Sequence, residues 1–168
     1  MADSSGYARP VADAPEIDLS FLLNQASYAL AAQLGGALED LGISVREYCV
    51  LWKAADGERT QIEIAELAAL DKTTMVVTLD ALEKRGLARR EVSSTDRRAR
   101  VVGLTDEGRA VLDKAYGRVS DVYEVALGEL PPRARDTFVK ALESLTTGAL
   151  ATPSHTAPQR RRQVKAMR

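Results

Sequence analysis

Basic residues crowd one stretch of this sequence. Between positions 72 and 100 stand Lys72, Lys84, Arg85, Arg89, Arg90, Arg97, Arg98 and Arg100, against only four carboxylates, Asp80, Glu83, Glu91 and Asp96. The 168 residues together carry a formal charge of −1. Setting aside the basic end of the chain (Arg160, Arg161, Arg162, Lys165 and Arg168), residues 1–150 hold 18 basic and 24 acidic residues, so the stretch is a cationic island on an acidic body. Such an island suits phosphate contact, because clustered cations displace the counterions of a polyanion. A solvated charged face is the plain alternative. Other chemistry is poorly supplied. One histidine, His155, and one cysteine, Cys49, make neither a nucleophile–base pair nor a metal ligand set, and no G-x-S-x-G or phosphate-cradling glycine loop is present. The sequence therefore argues against an enzyme, and no metal or cofactor is expected.

The elements that must position those cations can be read from periodicity. A content of 45% hydrophobic residues, rich in Ala and Leu, with 5% aromatics, favours a mostly helical chain. Leu19, Leu22, Leu23, Ala26, Leu30, Leu34, Ala37 and Leu41 recur at spacings of three and four and predict a helix over about 17–41, weakened by Gly35 and Gly36 and ended by Gly42. Ser44 with Glu47, and Thr60 with Glu63, are capping-box signals that open a helix over 45–55 and a short third helix whose buried side is Ile64, Leu67 and Ala68. A fourth helix is predicted from Lys72 to Arg85, buried through Met75, Leu79 and Leu82 and closed by Gly86. The period then shortens to that of a strand. Residues 87–92 and 100–104 predict a hairpin with a turn at Ser93 to Asp96. Thr105 starts a long helix with a stripe of Leu112, Ala115, Val119, Val122 and Ala126, and Pro131–Pro132 starts a last one with Phe138, Leu142 and Leu145 in line.

Three short helices, a hairpin with a basic turn and long amphipathic helices at both ends are the order of a winged helix-turn-helix with a helical dimerisation region. In that arrangement the third helix braces the fourth, whose N-terminal part enters the major groove, while the hairpin tip reaches an adjacent minor groove. The segment Leu41 to Ala115 resembles the multiple-antibiotic-resistance regulator (MarR) family. The likeness is carried by Asp96-Arg97-Arg98-Ala99-Arg100-Val101-Val102-Gly103-Leu104-Thr105, which fits the wing pattern D-x-R-x5-L-T, and by Leu82-Glu83-Lys84-Arg85-Gly86-Leu87 at the end of the recognition helix. The resemblance implies that Arg98 is the wing-tip residue inserted in the minor groove and that Asp96 holds the wing in shape. A planar, weakly hydrated guanidinium suits a narrow, negative groove. Arg97 and Arg100 are phosphate clamps or solvent-facing strand residues. On the fourth helix Lys72, Thr73, Thr74, Val76 and Val77 lie on or near the first turn and off the apolar face; Thr73 and Thr74 touch phosphates or base edges, or else Asp71 and Thr73 simply cap the helix. Val76 and Val77 stand where many relatives carry a hydroxyl residue and an arginine, so contact with thymine methyls replaces bidentate base reading here.

The resemblance further implies a homodimer on a pseudo-palindromic double-stranded operator, a repressor role, and relief by a small phenolic or anionic effector. Tyr28, Tyr48 and Trp52 are the candidate lining of the effector pocket, with plain core packing as the alternative. Cys49 is either an oxidation sensor or an inert buried thiol on a helix. A winged-helix module that binds protein instead of DNA is the remaining rival. The expected boundaries are a flexible arm over 1–16, a DNA-binding lobe over 42–105, dimerisation helices over 17–41 and 106–148, and a disordered basic tail over 149–168. No stretch reaches the roughly 20 apolar residues of a membrane span, and Asp3, Arg9, Pro10, Asp13 and Pro15 occupy the place of a signal core, so a cytoplasmic protein with no membrane partner is expected.

Overall fold

The computed structural model describes residues 17–151. The arm expected over 1–16 and the tail from 152 onward, with His155 and the five terminal cations, lie outside the described residues. The chain divides after Ala126 into two compact units. The first is mostly helical: α1 (Leu19–Leu38), a 3-10 turn (Glu39–Leu41), α2 (Val45–Ala55), α3 (Gln61–Leu67), α4 (Lys72–Lys84), β1 (Ala88–Val92), β2 (Arg100–Leu104) and nearly all of α5 (Asp106–Gly128). The second holds the end of α5 and α6 (Pro132–Thr147). Fold class and element order are those expected from periodicity. None of the described helices is long and apolar enough to cross a membrane.

Local chemistry accounts for the element ends. Both capping boxes form: the Ser44 N–H donates to Glu47 Oε2 at 2.8 Å, and the Thr60 N–H to Glu63 Oε2 at 2.7 Å. Each N-cap hydroxyl is worth about 1 kcal/mol. Gly42 at φ +65° and Gly86 at φ +69° take left-handed conformations that a Cβ would strain. Gly35 and Gly36, expected to weaken α1, sit inside an unbroken helix. Between α3 and α4 the chain turns at Ala69, φ +51°, so a left-handed position is filled by a residue that gives no turn signal.

The core gathers Val50 and Leu51 of α2, Ile64 of α3, and Met75, Leu79 and Leu82 of α4, all at 0% exposure. On α3 the buried pair is Ile64 and Ala65. Leu67, expected to be buried, is 50% exposed, and Ala68 is half-buried as the C-cap residue. The helix ends after seven residues, so its last turn has left the core-facing side.

The hairpin is antiparallel, with Ala88 opposite Leu104 and Val92 opposite Arg100. Its second strand has another partner: the Val102 N–H donates to the Arg59 carbonyl at 2.9 Å, and Thr60 bridges Val101. The α2–α3 connection thus acts as a short third strand. At the base of the wing the Thr105 hydroxyl donates to the Gly86 carbonyl at 2.6 Å and accepts from the Gly108 N–H at 2.9 Å. Gly108 is required there, because a Cβ would collide with the Leu87 carbonyl. The terminal helices contrast with this core. Leu19, Phe21 and Leu22 on α1 are 53–59% exposed, and α6 has no buried residue.

Candidate nucleic-acid interface

The eight cations of the island separate into two groups once their partners are known. Arg85 pairs with Glu47 at 3.0 Å, Arg89 with Glu91 at 2.8 Å, and Arg90 with Asp80 at 2.8 Å and with Glu83. These three are neutralised within the lobe. Lys72, Lys84, Arg97, Arg98 and Arg100 are exposed and have no carboxylate partner among the described residues. The unpaired charge therefore sits at the two ends of α4 and at the hairpin tip.

The start of α4 is ordered by Asp71, whose carboxylate accepts the Thr74 N–H at 2.9 Å and the Thr74 hydroxyl at 2.6 Å. These bonds hold the Asp71 carboxyl below the usual carboxylate range. Thr74 consequently serves the cap, and Thr73 is the free hydroxyl. Lys72 and Thr73 are exposed, Val76 is half-buried, and Val77 projects at 64% exposure. Thr78 is turned inward, its hydroxyl donating to the Thr74 carbonyl at 2.7 Å. Beside this face Ile62, Ala65, Leu70 and Met75 line a shallow groove of about 320 Å³ with Lys72 at its edge.

At the wing tip the Asp96 carboxylate accepts the Arg98 backbone N–H at 2.9 Å, and its carbonyl accepts the Ala99 N–H at 2.9 Å. Asp96 thus shapes the turn through the backbone and leaves the Arg98 guanidinium unpaired, which is different from a surface ion pair. Glu58, in the α2–α3 connection, also bonds the tip; its place there depends on contacts across 35 and 36 residues, which no local pattern announces.

The aromatic residues meet where α2 faces α5. Tyr48 is buried at 4% exposure, lies against Trp52 at 6.2 Å between ring centroids, and meets Tyr116 edge-on at 6.3 Å. The Lys53 ammonium sits 3.8 Å over the Trp52 ring. Burial, with the nearby Tyr123 and Tyr116 phenols and Cys49, pushes the Tyr48 phenol up to about 12. The trio expected to line a pocket is not brought together: Tyr28 on α1 is 75% exposed and stacks on none of the described rings, and Tyr116 and Tyr123 of α5 take its place. Their spacing of two helical turns was the available signal. Cys49 is half-buried, and burial raises its thiol pKa against the opposing pull of Lys53. It is therefore a thiol at neutral pH, the form less open to oxidation. Among the described residues no group of three His, Cys, Asp or Glu side chains could hold a metal ion.

A bundle of short helices in which one braces the next, followed by a hairpin with a cationic tip, defines a winged helix-turn-helix protein. Comparison with known proteins gives the same class and narrows it. The MarR family profile matches residues 41–99. The transcriptional regulator HosA of Escherichia coli O157:H7 is 34% identical over 100 residues, which span 59% of this chain and 74% of HosA. CouR of Rhodococcus jostii RHA1, solved bound to p-coumaroyl-CoA, aligns with a TM-score of 0.72 and 29% identity over 83% of this chain and 96% of CouR. The transcriptional repressor CouR bound to a 23-mer DNA duplex aligns with a TM-score of 0.68 and 32% identity over 76% of this chain and 92% of that one. The chain belongs to the MarR family. It is a transcriptional regulator of a DNA-binding family rather than an enzyme.

Proposed function

We propose that this regulator grips duplex DNA as a homodimer, with the start of α4 in the major groove and Arg98 in the adjacent minor groove of each half-site. The observation that carries this reading is the separation of its cations: those on the strands and at the end of α4 that have acidic neighbours are neutralised, while Lys72, Lys84, Arg97, Arg98 and Arg100 are left free. Unpaired, exposed cations are the ones that release counterions from phosphates. Thr73 and the exposed Val77 are the base-facing residues, and Val77 suits a thymine methyl. Dimerisation falls to residues 17–41 and 106–148. Exposed Leu19, Phe21 and Leu22 on α1, and Phe138, Leu142 and Leu145 on α6, form apolar lines that a second subunit would cover. Two such lobes would address a pseudo-palindrome with half-sites about one helical turn, roughly 10 bp, apart.

In this reading the dimer acts in the cytoplasm and represses transcription until a small phenolic or anionic molecule binds beside Tyr48, Trp52 and Tyr116. CouR, a repressor whose ligand p-coumaroyl-CoA is both phenolic and anionic, supports that class of effector. The Lys53 ammonium over Trp52 offers a cation at the edge of the aromatic cluster. An anisotropy titration on the duplex upstream of the protein's own coding region, repeated at rising salt and with added p-coumaroyl-CoA, tests the whole reading. Salt-sensitive binding that the phenolic thioester weakens is expected. Salt-insensitive binding, or none, overturns the assignment to DNA, and binding unmoved by the thioester removes this effector from the proposal.

A further inference from the structure

The hairpin tip is tied to the lobe by a relay of hydrogen bonds that begins outside the hairpin. The Glu58 carboxylate accepts the Ser93 hydroxyl at 2.6 Å and the Ser94 N–H at 2.9 and 3.1 Å. Ser93, only 7% exposed, passes the constraint on: its hydroxyl oxygen accepts the Thr95 N–H at 3.1 Å and the Asp96 N–H at 3.2 Å. Asp96 in turn accepts the Arg98 N–H at 2.9 Å. The last ladder pair is Val92 with Arg100, and beyond it the backbone is closed by the Ser93 N–H donating to the Ala99 carbonyl at 3.1 Å and the Ala99 N–H to the Asp96 carbonyl at 2.9 Å, so side chains must order the rest of the tip. The anchor itself is firm. Arg59, next to Glu58, donates to the Lys53 carbonyl and to Asp56, both at 2.6 Å, and its own carbonyl accepts from Val102 at 2.9 Å.

We propose that Glu58 is a positioning residue for DNA binding, which holds the wing tip so that Arg98 is presented to the minor groove in one arrangement. The inference rests on the role proposed above for Arg98. A carboxylate fits the task because it is acceptor-only and offers two oxygens to the hydroxyl and the amide. The amide of Gln would turn an N–H toward one of these donors. The same bonds, that from Ser93 foremost, hold the Glu58 carboxyl below its ordinary range, so it is ionised at neutral pH. A negative charge beside a phosphate-binding surface opposes DNA attraction on Coulombic grounds alone. Charge and positioning therefore predict opposite signs when Glu58 is removed.

The test compares the full-length wild type with Glu58→Ala, Glu58→Gln, Arg98→Ala and the Glu58→Ala/Arg98→Ala double variant. Amide hydrogen exchange, which needs no DNA, should show residues 93–99 exchanging about tenfold faster in Glu58→Ala, from the loss of charge-assisted hydrogen bonds, with α4 unchanged. Glu58→Gln should fall between Glu58→Ala and the wild type. Affinity for the duplex should fall about tenfold in Glu58→Ala, and the double variant should bind no worse than Arg98→Ala alone. Unchanged exchange at the tip, tighter duplex binding by Glu58→Ala, or losses that multiply in the double variant would each overturn the proposal. If the wild type ignores duplex DNA, the proposed function fails, and the exchange result still decides whether Glu58 orders the tip.

Discussion

The winged lobe and the terminal helices use the same apolar residues to opposite ends. In the lobe Leu51, Ile64, Met75, Leu79 and Leu82 are wholly buried by elements of their own chain. In α6 Phe138 is 48% exposed, with Leu142 at 37% and Leu145 at 38%, and the first half of α1 is similarly bare. Periodicity alone does not separate these cases, since both write a stripe at three- and four-residue spacing. The difference lies in what covers the stripe: the lobe completes its core alone, whereas the bare stripe is the surface that the proposed second subunit would cover.

Four substitutions probe the contrast between the self-covered lobe and the bare helices. Leu79→Ala in the lobe should cost about 2–5 kcal/mol, read as a lower urea midpoint, because a packed site collapses only partly around the cavity. Phe138→Asp in α6 should instead shift sedimentation from dimer toward monomer and weaken duplex binding by roughly tenfold or more through lost bivalency. Unchanged sedimentation would mean that the α6 stripe is not an interface. A smaller effect is expected at the seam of α2 and α5. Tyr48 holds its proton up to about 12 when folded, against the ordinary 10.0, so its contribution is complete below pH 10 and is lost as pH rises through the folded value. Tyr48→Phe should therefore flatten the fall of stability with pH in that alkaline window, measured by denaturant titration. Arg89→Ala should do least. Its pair with Glu91 is exposed and contributes little to stability, and its charge already has a carboxylate partner, so duplex affinity should be nearly unchanged.

Much of the lobe is legible because its signals are local. Ser44 with Glu47, Thr60 with Glu63, and Gly86 each act within a few residues, and the structure places them as the spacing implies. Legibility fails where long-range packing decides. Leu67 fits an apolar period yet lies on a last turn that has left the core. The turn at Ala69 is imposed by the meeting of α3 and α4 against a common core, not by its residue type. The free hydroxyl is at Thr73, since the Asp71 cap takes Thr74. Glu58, Tyr116 and Tyr123 become neighbours of the wing tip and of Tyr48 only after folding, and the ion pairs that silence Arg85, Arg89 and Arg90 could not be told in advance from the free cations beside them.

Free and paired cations are told apart by the slope of log affinity against log salt for the duplex, in wild type, Arg98→Ala and Arg89→Ala. Loss of a cation that engages the duplex should lower the magnitude of the slope by about 1 and weaken binding, as expected of Arg98→Ala, while Arg89→Ala should overlay the wild type. Equal slopes for Arg98→Ala and wild type, or a larger change in Arg89→Ala, would contradict the assignment of the free cations to DNA.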